Sequence, residues 1–223
     1  MKIRKLPGNL RQSAEAGFTI IESLAAIIIV TILMVGITPV LGIAVATRVQ
    51  ARRVELGQQA ARTYIDYLRS ETDTNNHPTP SSTLPSAAPA PTAGAFNCNN
   101  NHRAYCTVPA GRQLYCVDGD GDGSCKPDSV ADMVVQGVAF NPTTGATPAD
   151  GYRLLARVYR ADAFGDAIAL QTGTQQAAFT GGSGNRKAPV VEISTEISIS
   201  GSTDYEDFCS RLNPSAARAD ACN

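Results

Sequence analysis

The sequence predicts an α+β chain in which one long N-terminal helix, transmembrane in its first half and amphipathic in its second, packs on a small antiparallel β-sheet head domain. Three observations predict it. Residues 18–47 hold 21 hydrophobic residues in 30 and a single charge, Glu22, so this stretch forms a helix long and apolar enough to cross a bilayer. Residues 48–70 contain no proline and place apolar side chains at helical spacing, so the helix continues beyond the span. Past residue 96, runs rich in β-branched and aromatic residues are separated by turn-forming segments, a pattern of antiparallel strands. The averages over 223 residues, 43% hydrophobic and 17% charged, conceal this division.

Taken in order, residues 1–17 carry Lys2, Arg4, Lys5 and Arg11 against one acid, Glu15, a local charge of +3, and read as a cytoplasmic leader. At about 1.5 Å per residue the next 30 residues reach about 45 Å, more than the ~30 Å hydrocarbon core. Two ordinary readings compete for them. A secretory signal has an A-x-A-like cleavage triplet available in Ala44-Val45-Ala46, but a signal's apolar region is only about 7–15 residues long. A plain signal anchor fits the length. Flanking charge does not orient it, because Lys2, Arg4, Lys5 and Arg11 are matched by Arg48, Arg52, Arg53 and Arg62 on the other side. Glu22 is costly in either case: an ionised carboxylate near the centre of a membrane helix costs about 2.5–3.5 kcal/mol, so it needs a cationic partner or the headgroup level. Pro39, between Gly36 and Gly42, removes a backbone hydrogen bond and crowds the preceding turn, which suits a tolerated kink and a helix break alike.

Beyond the span, Val45, Val49, Leu56, Ala60, Tyr64 and Tyr67 recur at steps of 4, 7, 4, 4 and 3, one face of a helix. That face is expected to pack on a globular domain while Arg48, Arg52, Arg53 and Arg62 stay solvated. From Phe18 to Ser70 an unbroken helix measures about 80 Å. Residues 72–95 carry five prolines and almost no bulky apolar side chain, which predicts a linker or long surface loop. Strands are expected at Met133 to Phe140, Tyr152 to Arg160 and Val190 to Ile199, in a sheet of three or four, with a turn or loop over residues 179–189. The expected division is 1–17 leader, 18–47 span, 48–71 amphipathic helix, 72–95 linker or loop and 96–223 C-terminal domain.

All six cysteines, Cys98, Cys106, Cys116, Cys125, Cys209 and Cys222, follow the span, and no CxxC pair exists. Zinc and thioredoxin-type sites therefore have little support, whereas disulfides outside the cytoplasm fit. Fifteen connectivities are open; proximity alone suggests Cys98 with Cys106, Cys116 with Cys125 and Cys209 with Cys222. A net charge of −1 and a pI near 6.1 give no footprint for nucleic acid, which needs clustered Lys and Arg. With two histidines and no Ser/His/Asp set, phosphate loop or paired-carboxylate motif, no enzyme is expected. Tyr105 and Tyr115 are expected to pack rather than to form a sugar platform.

The most chemical-looking segment is Val117 to Cys125, VDGDGDGSC. Asp118, Asp120 and Asp122, followed by Gly123, copy the D-x-D-x-D-G opening of a calcium loop. The twelfth position is Ser129 where a bidentate glutamate belongs, so Asp128 or Asp132 has to substitute. The candidate ligands for Ca²⁺ are thus Asp118, Asp120, Asp122 and Asp128. The plainer alternative is an acidic Asp-Gly turn held between Cys116 and Cys125.

GFTIIESLAAIIIVTILMVGITPV, starting at Gly17, resembles the N-terminus of type IV prepilins and pseudopilins: a basic leader, a Gly-Phe dipeptide, a glutamate five residues after the glycine and an apolar helix. The resemblance covers about 25 residues closely. It implies a pilin-like fold, cleavage by prepilin peptidase between Gly17 and Phe18, and methylation of the new Phe18 amine. It also implies that Glu22 neutralises a neighbouring subunit's Phe18 amine and so sets filament register. The stretch around the matching proline is commonly unwound in assembled pili. ATRVQARRVELGQQAARTYIDYLRS, following GITPVLGIAV, is similar to cyanobacterial hormogonium polysaccharide secretion pseudopilins. YEDFCSRLNPSAARADACN resembles the disulfide-closed end of many pilins, and some pseudopilins bind calcium in their soluble domain. Removing 17 residues leaves 206, longer than typical major pilins, which favours a minor subunit. The implied setting is the inner membrane, crossed once with the C-terminal domain outside the cytoplasm, and then a periplasmic or cell-surface filament, of type IV pilus or type II secretion-like kind, that serves polysaccharide secretion and gliding motility. The implied partners are other pilin subunits, the prepilin peptidase and an inner-membrane assembly platform. The rival expectation is a monomeric membrane-anchored extracytoplasmic binding protein that uses the acidic loop or the sheet as its ligand surface.

Overall fold

A computed structural model describes residues 19–94, 96–98, 104–107, 114–173, 184–199 and 205–212. The chain divides into two compact units, Met1–Gly42 and Ile43–Asn223. In the first, the described residues from Ile20 onward belong to α1 (Ile20–Ser70), which runs through Pro39 without interruption. Thr19 starts the helix. Its carbonyl accepts the Glu22 N–H at 3.0 Å and the Ser23 N–H at 3.1 Å, and its hydroxyl oxygen lies 3.3 Å from the Glu22 nitrogen. The hydroxyls of Ser23, Thr31 and Thr38 donate to carbonyls three or four residues back. These three hydroxyls are thereby satisfied within the helix itself, as a hydrocarbon setting demands. Every described residue from 19 to 45 is exposed, and α1 is long and apolar enough to cross a membrane.

In the second unit, the later turns of α1 pack on a sheet, burying Gln50, Gly57, Ala60, Ala61, Tyr64, Ile65 and Leu68. This face is rotated from the expected stripe: Ala60 and Tyr64 are buried, Leu56 and Tyr67 are half-buried, and Val45 and Val49 are exposed. Small residues turn it. A Cβ on Gly57 would meet Val190 Cγ1 at 3.0 Å and Val191 Cγ2 at 3.2 Å, so glycine lets the helix backbone approach the strand closely. Arg48, Arg52 and Arg62 are exposed, but Arg53 is half-buried. Burial and the neighbouring Arg160 lower its pKa, against a smaller opposing effect of Asp162. Full solvation of Arg53 was the wrong expectation.

The sheet has four antiparallel strands in sequence order: β1 (Leu114–Val117), β2 (Met133–Phe140), β3 (Tyr152–Arg160) and β4 (Val191–Ile197). The bounds of β2 and β3 coincide with the runs of β-branched and aromatic residues read from sequence, β4 is shorter than the expected Val190 to Ile199, and β1 is the additional strand. Alternation divides the side chains between two faces. Met133, Val135, Leu154, Ala156 and Val158 join Ala61, Tyr64 and Leu68 of α1 in one core. Val134 and Tyr159 belong to a second cluster with Phe164, Leu170 and four cysteines. Both faces of β2 and β3 are therefore covered, although only one is covered by a helix.

Part of the second cover is the proline-rich segment. Ser81 donates to the Ala139 carbonyl and its own carbonyl accepts the Asn141 N–H, forming a parallel bridge at Phe140. Gln136 Nε2 donates to the Pro89 carbonyl at 3.0 Å. Arg157, whose side chain is 1% exposed, pairs through Nε with Glu192 Oε1 at 3.0 Å. Its Nη1 and Nη2 donate to the carbonyls of Ala88 and Pro85, each at 2.8 Å. One guanidinium thus satisfies two carbonyls of a segment in which five prolines lack an N–H group. Residues 72–94 form a strap held on the sheet, and the free-linker alternative does not hold. Finally, α2 (Tyr205–Leu212) docks through buried Arg211, whose Nε meets Glu196 Oε2 at 3.0 Å.

Candidate functional site

The residues singled out by sequence fall in two places. Gly17 and Phe18 lie outside the described residues. Glu22 lies in the first turn of α1 and is exposed. Thr19 and Glu22 have the T-x-x-E spacing of a capping box, and a carboxylate there complements the helix dipole. Glu22 therefore has a local reason to stand at the helix start, in addition to any role toward a partner. Pro39 leaves the Val35 carbonyl without its usual donor and yet does not end the helix.

The acidic loop joins β1 to β2. Its turns are built from its own carboxylates. Asp118 Oδ1 accepts the N–H groups of Asp120 at 3.0 Å and Gly121 at 2.6 Å, and Oδ2 accepts that of Gly123 at 2.7 Å. Gly121 and Gly123 have φ of 83° and 87°, in the left-handed region that favours glycine. Asp122 accepts from Ser124 and pairs with Lys126; the Lys126 hydrogen bond, foremost, holds its pKa below the usual carboxylate range. Asp128 is exposed. The residue that joins Asp118 and Asp120 is Asp132: one carboxylate oxygen from each of the three lies within 4.8 Å of the others. The gathered set is therefore Asp118, Asp120 and Asp132, whereas Asp122 is turned to Lys126 and Asp128 is not among them.

Asp132 is fully buried. Desolvation raises its pKa, against the lowering effect of the Gly119 and Lys126 N–H groups that its carboxylate accepts. Ser129, at the twelfth loop position, donates to Asp120 Oδ2 at 3.0 Å and accepts the Asp132 N–H at 3.2 Å, so it closes the loop where a calcium loop places its glutamate. Three hard oxygen donors at this separation suit one cation with ligand distances of about 2.3–2.6 Å. The N–H donors already present hold the same turns together by themselves.

The cysteines staple this region. Cys98 is bonded to Cys106 and Cys116 to Cys125, and Cys98 faces Cys125 across an isolated β-bridge. Cys209 is also disulfide-bonded; Cys222 lies outside the described residues. Tyr105 and Tyr115 pack with Tyr64 and Tyr67 at ring-centroid distances of 5.0–6.2 Å, which is aromatic packing. Burial, foremost, pushes the Tyr64 hydroxyl well above its ordinary pKa.

A groove of about 470 Å³ lies between the strap and β2, lined by His77, Pro78, Pro91, Gln136 and Val138 among others. Both ring nitrogens of His77 are committed. Nε2 lies 3.1 Å from the Glu71 carbonyl, which can only accept, so Nε2 carries a proton, and Nδ1 lies 2.7 Å from the Tyr152 hydroxyl. A scan of protein-family models finds no matching family, and searches of curated proteins and of solved structures likewise find no match.

Proposed function

We propose that this chain is a minor pseudopilin: a structural subunit cut by prepilin peptidase after Gly17, inserted in the inner membrane and built into a type II secretion-like filament that serves polysaccharide export and gliding. The observation that carries the reading is the uncovered apolar helix of the first unit, whose one carboxylate, Glu22, stands in its first turn. Such a surface needs lipid or other apolar helices around it, and a filament core supplies the second when the membrane is left. In this reading the mechanism is mechanical. Apolar helices bundle, Glu22 neutralises the Phe18 amine of a neighbour, and the disulfide-stapled sheet domain faces outward. The long helix with a small antiparallel sheet supports the same pilin-like layout.

Intact-mass measurement of the protein from native membranes tests it. The expected N-terminus is Phe18 carrying one added methyl group; a retained leader excludes a pilin and leaves the membrane-anchored binding protein. Glu22→Gln separates the two roles of that residue, because glutamine also serves a capping box. The variant is expected to be processed and membrane-inserted but absent from sheared filaments. Normal incorporation would reduce Glu22 to a helix start.

The acidic loop adds a calcium site to this reading, with Asp118, Asp120 and Asp132 as the protein's carboxylates. Calcium at a hundredfold excess over Kd is expected to stabilise the protein by about 2.7 kcal/mol, read as a rise in Tm. Asp120→Ala is expected to abolish that rise, measured against the variant's own calcium-free Tm, which also registers the loss of the bonds Asp120 accepts from the Asp122 N–H and the Ser129 hydroxyl. No rise in the parent protein sinks the site.

A further inference from the structure

The second compact unit begins with helical turns unlike the rest of its surface. Ile43, Val45 and Val49 are 45%, 64% and 44% exposed, and Arg48 and Arg52 stand exposed among them. From Ile43 to Arg53 there are three arginines and no acid. Among the described residues neither Arg48 nor Arg52 forms an ion pair. Of the other large exposed apolar residues of this unit, Leu84, Val130 and Ile168 are scattered over loops, and Tyr205 and Phe208 lie on α2 beside the acids Glu206 and Asp207 in sequence, with no pair of arginines among them.

Arg48 and Arg52 are one turn apart and share a helix face. Four residues advance the helix by about 6 Å, and the headgroup layer of one leaflet, the difference between a ~30 Å core and a ~40–45 Å bilayer, is about 5–8 Å thick. Two guanidinium groups that fit within that depth, after Ile43 and Val45 and on either side of Val49, match the passage from hydrocarbon to phosphate. Arginine suits it doubly, with an apolar stem that lies along lipid and a planar fork of donors that grips phosphate oxygens in pairs. A soluble polyanion would account for the arginines but not for Ile43, Val45 and Val49.

We propose that Arg48 and Arg52 form a binding site for the phosphate of an anionic phospholipid, at the headgroup level on the sheet-domain side of the membrane. The inference rests on the membrane reading above. It also gives a role to cations on a flank where the preference of cytoplasmic loops for Lys and Arg offers no reason for them. While such a lipid is held, the subunit is retained in the bilayer, and leaving for a filament requires both arginines to exchange phosphate for another partner.

The test uses the full-length protein purified in detergent, mixed with equal amounts of phosphatidylglycerol and phosphatidylcholine and examined by native mass spectrometry. The wild-type chain is expected to retain phosphatidylglycerol in preference. Arg48→Gln and Arg52→Gln are each expected to reduce that preference about fivefold, from the usual contribution of one basic residue near an anionic surface. Arg62→Gln, also exposed but ten residues farther along than Arg52, is expected to keep it. Absence of a preference in the wild-type chain, an equal loss in Arg62→Gln, or displacement of the lipid by millimolar inorganic phosphate would each overturn the proposal. Carbonate washing of native membranes addresses the underlying reading separately: release of the chain into the wash removes the membrane assignment itself, whereas retention without lipid preference removes only the arginine site.

Discussion

Replacing Arg157 with leucine is expected to cost the sheet domain about 3–5 kcal/mol, the usual penalty for breaking a buried ion pair by removing one partner. The side chain is 1% exposed and Glu192 18%, so water does little to screen the loss. Three groups lose their partner together: the Glu192 carboxylate and the carbonyls of Pro85 and Ala88. Against a typical total stability of about 5–15 kcal/mol, this is about a fifth or more of what holds the domain folded. Equilibrium denaturation measures the global cost, and hydrogen exchange around residues 81–94 reads the strap directly. Arg157→Lys should recover part of the loss, since it keeps the charge but presents no planar fork. A cost below about 1 kcal/mol for leucine, in the range of an exposed pair, would show that the strap is held by other means.

Gly137→Ala is expected to destabilise the domain by about 1–3 kcal/mol as over-packed cores do. A Cβ built there would overlap the Tyr64 hydroxyl, and it would lie 2.8 Å from Tyr64 Cζ and 2.9 Å from Cε1. Tyr64 has little room to withdraw, because its ring packs on Tyr115 at 5.0 Å and on Tyr105 at 6.1 Å and its hydroxyl is 3.2 Å from that of Tyr105. Tyr64→Phe removes the atom nearest the new methyl group. The double variant should therefore be less destabilised than the sum of the two single changes, a coupling that a double-mutant cycle measures. Strict additivity would mean that the strand, and not the tyrosine, absorbs the methyl group.

Legibility in the sequence followed the strength of the local pattern. β2 and β3 could be read to the residue, since their eight- and nine-residue runs of β-formers end in turn residues. β1 is four residues long and lies between two disulfide-rich loops, too short for periodicity to register. The strap was harder still. Its composition describes a chain without a core of its own, and that remains true; what covers its backbone is a guanidinium on β3, almost 70 residues away in sequence, since Arg157 reaches back to Ala88. Alternation in YRLLARVYR places Arg157 on a face but does not say that the face is covered. At the acidic loop, Asp118 and Asp120, two residues apart in the motif, lie near one another, while Asp122 is drawn to Lys126, four residues on. Asp132 enters because it stands just before β2, where the strand carries it back beside the turn.

The order of the strands bears on how quickly the domain can form. Each strand pairs with the next one in the chain, β1 with β2, β2 with β3 and β3 with β4. The two described disulfides close loops with sequence separations of only 8 and 9. Closing short loops sacrifices little chain entropy, and topologies rich in near-neighbour contacts fold faster than those that must join distant segments. The sheet and its staples can therefore assemble strand by strand in chain order, the longest wait falling between β3 and β4, whose nearest paired residues, Val158 and Val191, are 33 apart in sequence.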